Sequence, residues 1–130
     1  MEPWFRRALV ATGVVNVLGA LTFVPANRST RELLGLPGHT DPLYLWIIAS
    51  WVFGFGIAYL WLARQQRPEW LFVAIGAFGK LSFVAILAVA WLTGAIPLRG
   101  AAGGLWDLVL GLMFVAWLLA HREPLARVRA

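Results

Sequence analysis

The stretch Trp70-Leu-Phe-Val-Ala-Ile-Gly-Ala-Phe-Gly-Lys80-Leu-Ser-Phe-Val-Ala-Ile-Leu-Ala-Val-Ala-Trp-Leu-Thr93 carries a single charge, close to its middle. Its length exceeds the roughly 20 apolar residues that a helix needs to cross the hydrocarbon core of a bilayer. It therefore spells a membrane-spanning helix with a titratable amine near mid-bilayer. Lys80 is the only lysine in the chain, and the other ten basic residues are arginines that all lie outside the apolar runs.

Outward from that stretch, the composition says the same of the whole chain. With 130 residues, 61% of them hydrophobic and 13% charged, the chain has room for one domain and is too apolar for a soluble fold of this size. Apolar runs over about 8–25, 43–63, 70–93 and 101–120 give four spans. The fold expected is an all-α membrane protein, a single antiparallel four-helix transmembrane bundle over 1–130. The net charge of +5 does not point to nucleic acid, because the arginines sit at the segment ends and form no stripe with interleaved aromatics. The absence of cysteine excludes disulfides, thiol catalysis and thiolate metal sites. No phosphate-cradling glycine loop, zinc signature or serine nucleophile elbow is present either, so no catalytic residue, cofactor or metal is assigned.

The first run opens behind Trp4, Arg6 and Arg7. It is longer than the apolar region of a signal peptide, and Thr12, Gly13, Asn16, Gly19 and Ala20 share one helical face that a signal sequence has no use for, so it is expected to stay as a span. Between the first and second runs, Ser29 and Glu32 have the spacing of a capping box, and Leu33, Leu34 and Leu36 follow before Pro37-Gly38. A short interfacial helix is expected there, either a surface anchor or a lid. Asp41-Pro42 reads as an N-cap and first-turn proline for the second span, and Pro68 as a first-turn proline for the third. Ser50, Gly54 and Ala58 have small-xxx-small spacing, which lets another helix approach.

Arginine placement sets orientation. Arg6, Arg7, Arg64, Arg67, Arg122, Arg127 and Arg129 fall on one side and Arg28, Arg31 and Arg99 on the other, so both termini are expected in the cytoplasm. Trp4, Trp61, Trp70 and Trp117 would then form the inner aromatic belt, and Tyr44, Trp46, Trp91 and Trp106 the outer one, with Trp51 and Tyr59 left to face other helices. His39 and His121 fall at opposite ends and cannot share a haem or a metal.

Asn16 and Lys80 lie near the middle of their spans, and Asp107 and Ser50 about 4 to 5 Å further outward by helical rise. Each span thus brings one polar side chain to a similar level. An unpaired charge there costs at least ~2.5 kcal/mol, so Lys80 and Asp107 are expected to face inward and to pair directly or through Asn16 or a water. Lysine, unlike arginine, loses its proton when buried, which suits a protonation-sensitive ligand pocket. The competing expectation is that Lys80, Asp107, Asn16 and Ser50 only fix helix register. Gly76, Phe83, Gly111, Trp51 and Tyr59 are the candidate pocket lining.

With Gly56-Ile57-Ala58-Tyr59 in the second span, Gly79-Lys80 in the third and Asp107 in the fourth, the layout resembles the DoxX-like group of small bacterial membrane proteins. That resemblance implies a compact bundle in a bacterial inner membrane, in some members linked to quinone-dependent oxidation or to a partner redox enzyme. Small multidrug transporters share the span count but carry an acid in the first span, where this chain has Asn16.

The function expected is therefore a non-enzymatic inner-membrane protein that binds a hydrophobic or weakly acidic ligand, lipid or quinone-like, or a partner subunit, around Lys80 and Asp107. A dimeric transporter or channel with those residues on a proton or anion path is the alternative, and a structural subunit without ligand is the third.

Overall fold

In lipid a helix satisfies every backbone donor and acceptor within its own segment, and the described residues of this chain are mostly helical, the first helix starting at Pro3. The computed structural model describes residues 1–122, among which there is no strand. Glu123, Pro124, Arg127 and Arg129 lie outside the described residues. The order is α1 (Pro3–Thr22), a 3₁₀ turn (Pro25–Asn27), α2 (Arg28–Leu33), α3 (Pro42–Leu62), α4 (Trp70–Leu92), α5 (Leu98–Ala102) and α6 (Leu105–Ala120). Taking α5 and α6 together, four segments of 20, 21, 23 and 23 residues are long and apolar enough to cross a membrane.

Local chemistry sets most of the boundaries. Pro3 and Pro42 occupy first-turn positions, where the missing N–H costs nothing. Asp41 caps α3, its carboxylate accepting the Leu43 N–H at 2.9 Å. Elsewhere the boundaries differ from expectation. The first span starts at Pro3 rather than near residue 8, which puts Phe5 on the helix and buries it completely. The helix α2 exists, but it starts at Arg28, so Ser29 lies inside it and caps nothing; Glu32 pairs instead with Arg28 at 2.8 Å. α4 begins at Trp70 behind Glu69, which leaves Pro68 outside the helix. The fourth span is interrupted at Gly103-Gly104, a pair with poor helix propensity, where α5 hands over to α6.

α1 packs along α3, and α4 along α6; α3 and α4, although consecutive, are not packed against each other along their lengths. The α1–α3 contact depends on missing side chains. A Cβ on Gly13 would stand 2.5 Å from the Leu60 side chain and 3.0 Å from the Gly56 carbonyl, and one on Gly56 would stand 3.0 Å from the Val17 amide nitrogen. Small residues of this kind let helices approach where no hydrophobic gain from water drives them together.

The densest packing draws on the start of α1 (Phe5, Leu9), the end of α3 (Tyr59, Leu62), the start of α4 (Val73) and the end of α6 (Phe114, Trp117). Phe5 stacks on Trp117 at 4.6 Å between ring centroids, and Tyr59 meets Phe114 edge-on at 5.5 Å. Each such pair contributes about 0.5 to 1.5 kcal/mol beyond its area. Trp117 is consequently core rather than aromatic belt: once α1 starts at Pro3, Phe5 covers it and only 3% remains exposed. Trp4, Trp61, Tyr44, Trp46, Trp91 and Trp106 are all exposed, and Trp70 is half-buried. Large apolar side chains such as Leu18, Phe78, Ile86 and Leu92 also point outward. An apolar exterior on helices of spanning length is compatible with a multi-pass membrane protein.

The first connection is held by Arg31, which is 2% exposed. Its guanidinium donates to the carbonyls of Thr22 and Val24 at 3.1 and 2.7 Å and to those of Pro25 and Gly38 at 3.2 Å each. It thus serves carbonyls that the end of α1 leaves without helical partners. Gly35, at φ 78°, turns the chain so that its backbone lies directly on Gly100 of α5, where a Cβ would approach the Gly100 nitrogen to 2.8 Å.

Candidate functional site: a buried amine and carboxylate beneath a lateral cleft

Three helices bring polar groups together in an otherwise apolar interior. Lys80 extends from the inward face of α4 and is 5% exposed. Its Nζ donates to Asp107 Oδ1 at 2.8 Å and to Asn16 Oδ1 at 3.2 Å. Asn16 Nδ2 in turn donates to the Val52 carbonyl of α3 at 3.3 Å, so all four long helices are tied into one network. The expected direct pairing and the expected Asn16 contact are both present.

Each partner is placed by its own element. Asp107 falls in the first turn of α6, where the unsatisfied amides of the helix start favour a carboxylate. Gly111 follows it on α6 and packs against α4: a Cβ there would lie 3.0 Å from Leu81 and 3.3 Å from Lys80 Cβ. Its absent side chain makes room for the lysine stem. Gly76, on α4 a turn ahead of Lys80, does the same for Tyr59, whose hydroxyl lies 2.6 Å from where a Cβ would be. The Tyr59 ring stands 5.6 Å from Nζ, within reach of a cation–π contact.

Above this network, between α3 and α4, lies a cavity of about 480 Å³, inside the range of small-molecule sites. α3 walls it with Trp51, Val52, Phe55 and Tyr59; α4 with Phe78, Gly79, Lys80 and Phe83; α1 with Asn16, and α6 with Trp106 and Asp107. Near residue 72 the gap is filled, because Phe72 stacks on Phe55 at 6.0 Å and meets Tyr59 at 5.6 Å. Toward the other ends of these helices they part, and Leu34 and Leu36 from the Arg31-held connection, with Gly100 and Gly103, close over the space. Trp51 and Phe78 flank it with 66% and 74% of their surface exposed.

Among the residues singled out from sequence, Lys80, Asp107 and Asn16 converge, and Tyr59, Trp51 and Phe83 line the cavity. Ser50 does not join them: it is exposed, on the face of α3 turned away from the buried Leu45, Ala49, Gly56 and Tyr59. Gly76 and Gly111 are packing positions behind the cavity rather than part of its wall. Phe55, Phe78 and Trp106 were missed as lining, whereas Leu34 and Leu36, from the connection expected to be an anchor or a lid, border the cavity. The helical spacing of Trp51, Phe55 and Tyr59 on one side of α3 was the available signal for Phe55. His39 is exposed, whereas His121 stacks on Trp117 and meets Glu2 at 3.0 Å. Among the described residues no three histidine, aspartate or glutamate side chains converge as a metal ion requires.

Chemically, the arrangement offers one strong donor with spare capacity. An ammonium has three protons, and the described residues accept from Lys80 at Asp107 and Asn16. Asp107 Oδ2 and the Tyr59 hydroxyl bond to none of the described residues. Neither protein-family models, curated proteins nor solved structures give a match to this chain.

Proposed function

We propose that the chain is a non-enzymatic, multi-pass protein of a bacterial inner membrane, with four spans alternating in direction and both termini in the cytoplasm. It binds a hydrophobic or weakly acidic ligand, or an apolar segment of a partner subunit, in the cleft between α3 and α4. The observation that carries this reading is the cavity of about 480 Å³ whose few polar groups converge on the buried Lys80–Asp107 contact at 2.8 Å. Ligand sites are mostly apolar, with a small number of placed polar groups that fix orientation. A pair that served only helix register would need no space beside it, and packing would close over it. The arginine distribution supports the orientation. The likeness to the DoxX-like group belongs to the same proposal.

The test is what copurifies. Mass spectrometry of an organic extract of the protein, isolated in gentle detergent, is expected to show an apolar compound near stoichiometric amount. The Lys80→Met/Asp107→Leu double variant, which leaves no unpaired charge, is expected to lose it. Identical bulk-lipid profiles from both proteins would remove the ligand reading.

A further inference from the structure

We propose that the cleft selects an uncharged single-chain amphiphile with a hydroxyl head group over a carboxylate of the same length. This rests on the reading of the cleft as a ligand site and narrows it by charge and hydrogen-bond count.

Lys80 and Asp107 sum to zero charge whether the shared proton sits on the amine or on the carboxyl group, and among the described residues no other acidic or basic side chain pairs with Lys80; its remaining neighbour is the uncharged Tyr59 ring. An arriving carboxylate would leave a net negative charge in an apolar cavity, where an uncompensated ion is costly. An uncharged head group adds no charge, and the floor of the cleft specifies which one. Lys80 donates to Asn16 and Asp107 and keeps a third proton; Asp107 accepts on Oδ1 and keeps Oδ2. One spare donor thus lies next to one spare acceptor. A hydroxyl both accepts and donates, so it answers both; a carbonyl answers only the first. Asn16 does not occupy Oδ2: its Nδ2 donates to the Val52 carbonyl and bonds no other described residue.

The chain of the amphiphile has a defined way out. Gly79, beside Lys80 on α4, has no atom within 4 Å of where its Cβ would be, so the helix backbone itself floors the passage from the polar pair to the exposed Trp51 and Phe78. Entry is sideways between α3 and α4, from the direction in which these rings point.

The experiment uses the full chain in phosphatidylcholine nanodiscs with 11-bromoundecan-1-ol and 11-bromoundecanoate, both heavy-atom quenchers, at matched mole fraction in the bilayer. It is run at about pH 9, well above the ordinary carboxyl range. Saturable quenching of tryptophan fluorescence is read against Gly79→Leu, whose side chain enters the open space and keeps both Lys80 and Asp107. The alcohol is expected to bind at least ~10-fold more tightly than the carboxylate, the scale of one hydrogen bond to a charged group. Asp107→Asn, which removes the negative charge a carboxylate must face, is expected to narrow or reverse that preference. Equal or tighter carboxylate binding by the unaltered protein overturns this inference and leaves the cleft a ligand site. An undiminished preference for the alcohol in a folded Asp107→Asn variant overturns it as well; should that variant not fold, the order in the unaltered protein decides. If neither probe quenches beyond the Gly79→Leu level, the ligand-site reading fails together with it.

Discussion

Lys80 owes its place to what the alternatives would cost. A lone ammonium at mid-bilayer is penalised by several kcal/mol, so the side chain turns inward and takes Asp107 at 2.8 Å and Asn16 at 3.2 Å. Lys80→Met alone is expected to destabilise the protein by about 3 kcal/mol, because it strands Asp107, and Asp107→Leu by a similar amount, because it strands the amine. The double variant is expected to recover most of that loss, a coupling that thermal unfolding in detergent would measure directly. Two additive single losses would mean that the pair does not interact. The same penalty made Lys80, Asp107 and Asn16 legible in the sequence, since groups this costly to expose must converge. Ser50 was misjudged for the opposite reason: a serine hydroxyl can bond a carbonyl of its own helix and has no need to face inward. Gly76 was legible as a small residue beside the amine, but its partner was not. With the Tyr59 hydroxyl only 2.6 Å from a would-be Cβ, Gly76→Ala is expected to cost about 1 to 3 kcal/mol through overpacking. Adding Tyr59→Phe, which removes that oxygen, is expected to return part of it; if the second substitution returns nothing, the clash lies elsewhere.

At the scale of elements, the spans were readable from their apolar length, but their neighbours were not. A helix that is apolar on every side has no stripe to say which face meets which partner, so nothing in the sequence showed α3 leaning on α1 rather than on α4. The cleft follows from that choice and was legible only as the polar residues at its base and three of its lining side chains, Trp51, Tyr59 and Phe83. Boundaries went astray where aromatic packing overrode the apolar count, as when Phe5 drew the start of α1 back to Pro3 to cover Trp117. Arg31 is the largest omission: it read as one of several scattered arginines, yet it is buried and donates to carbonyls on both sides of α2. Since the segment it holds carries Leu34 and Leu36 over the cavity, Arg31→Met is expected to loosen that cover and little else. Hydrogen exchange should accelerate over residues 24–38 and stay slow in α1 and α3. Arg31→Lys should not rescue it, because an ammonium cannot reproduce a fork that serves carbonyls of Thr22, Val24, Pro25 and Gly38 at once. Uniform acceleration across all helices would show instead that Arg31 supports the whole fold.

For the whole molecule, the expected orientation rests on arginines, none of which lines the cleft. Arg6, Arg7, Arg64, Arg67 and Arg122 belong with the start of α1, the α3–α4 turn and the end of α6, whereas Arg28, Arg31 and Arg99 belong with the two other connections. Moving a positive charge outward against the membrane potential costs about 2.3 kcal/mol per 100 mV, so the arginine-rich end is the one expected to stay inside. Of the smaller group, Arg31 is spent on backbone carbonyls inside the protein, which leaves that end with fewer exposed cations than a residue count suggests. The chain has no cysteine, so a single introduced thiol reports its own side without background. His39 and Gln65 are both exposed and lie in different connections, and neither contributes an arginine to the balance. In intact spheroplasts a membrane-impermeant maleimide is expected to label His39→Cys and to reach Gln65→Cys only after permeabilisation. The opposite pattern would place the Leu34–Leu36 cover of the cleft on the cytoplasmic side, and any ligand released at that end would then leave toward the cell interior. Labelling of both positions in intact spheroplasts would mean a mixed topology, in which case Gln66→Arg, by adding charge to the α3–α4 turn without removing either reporter, should drive the population toward labelling of His39→Cys alone.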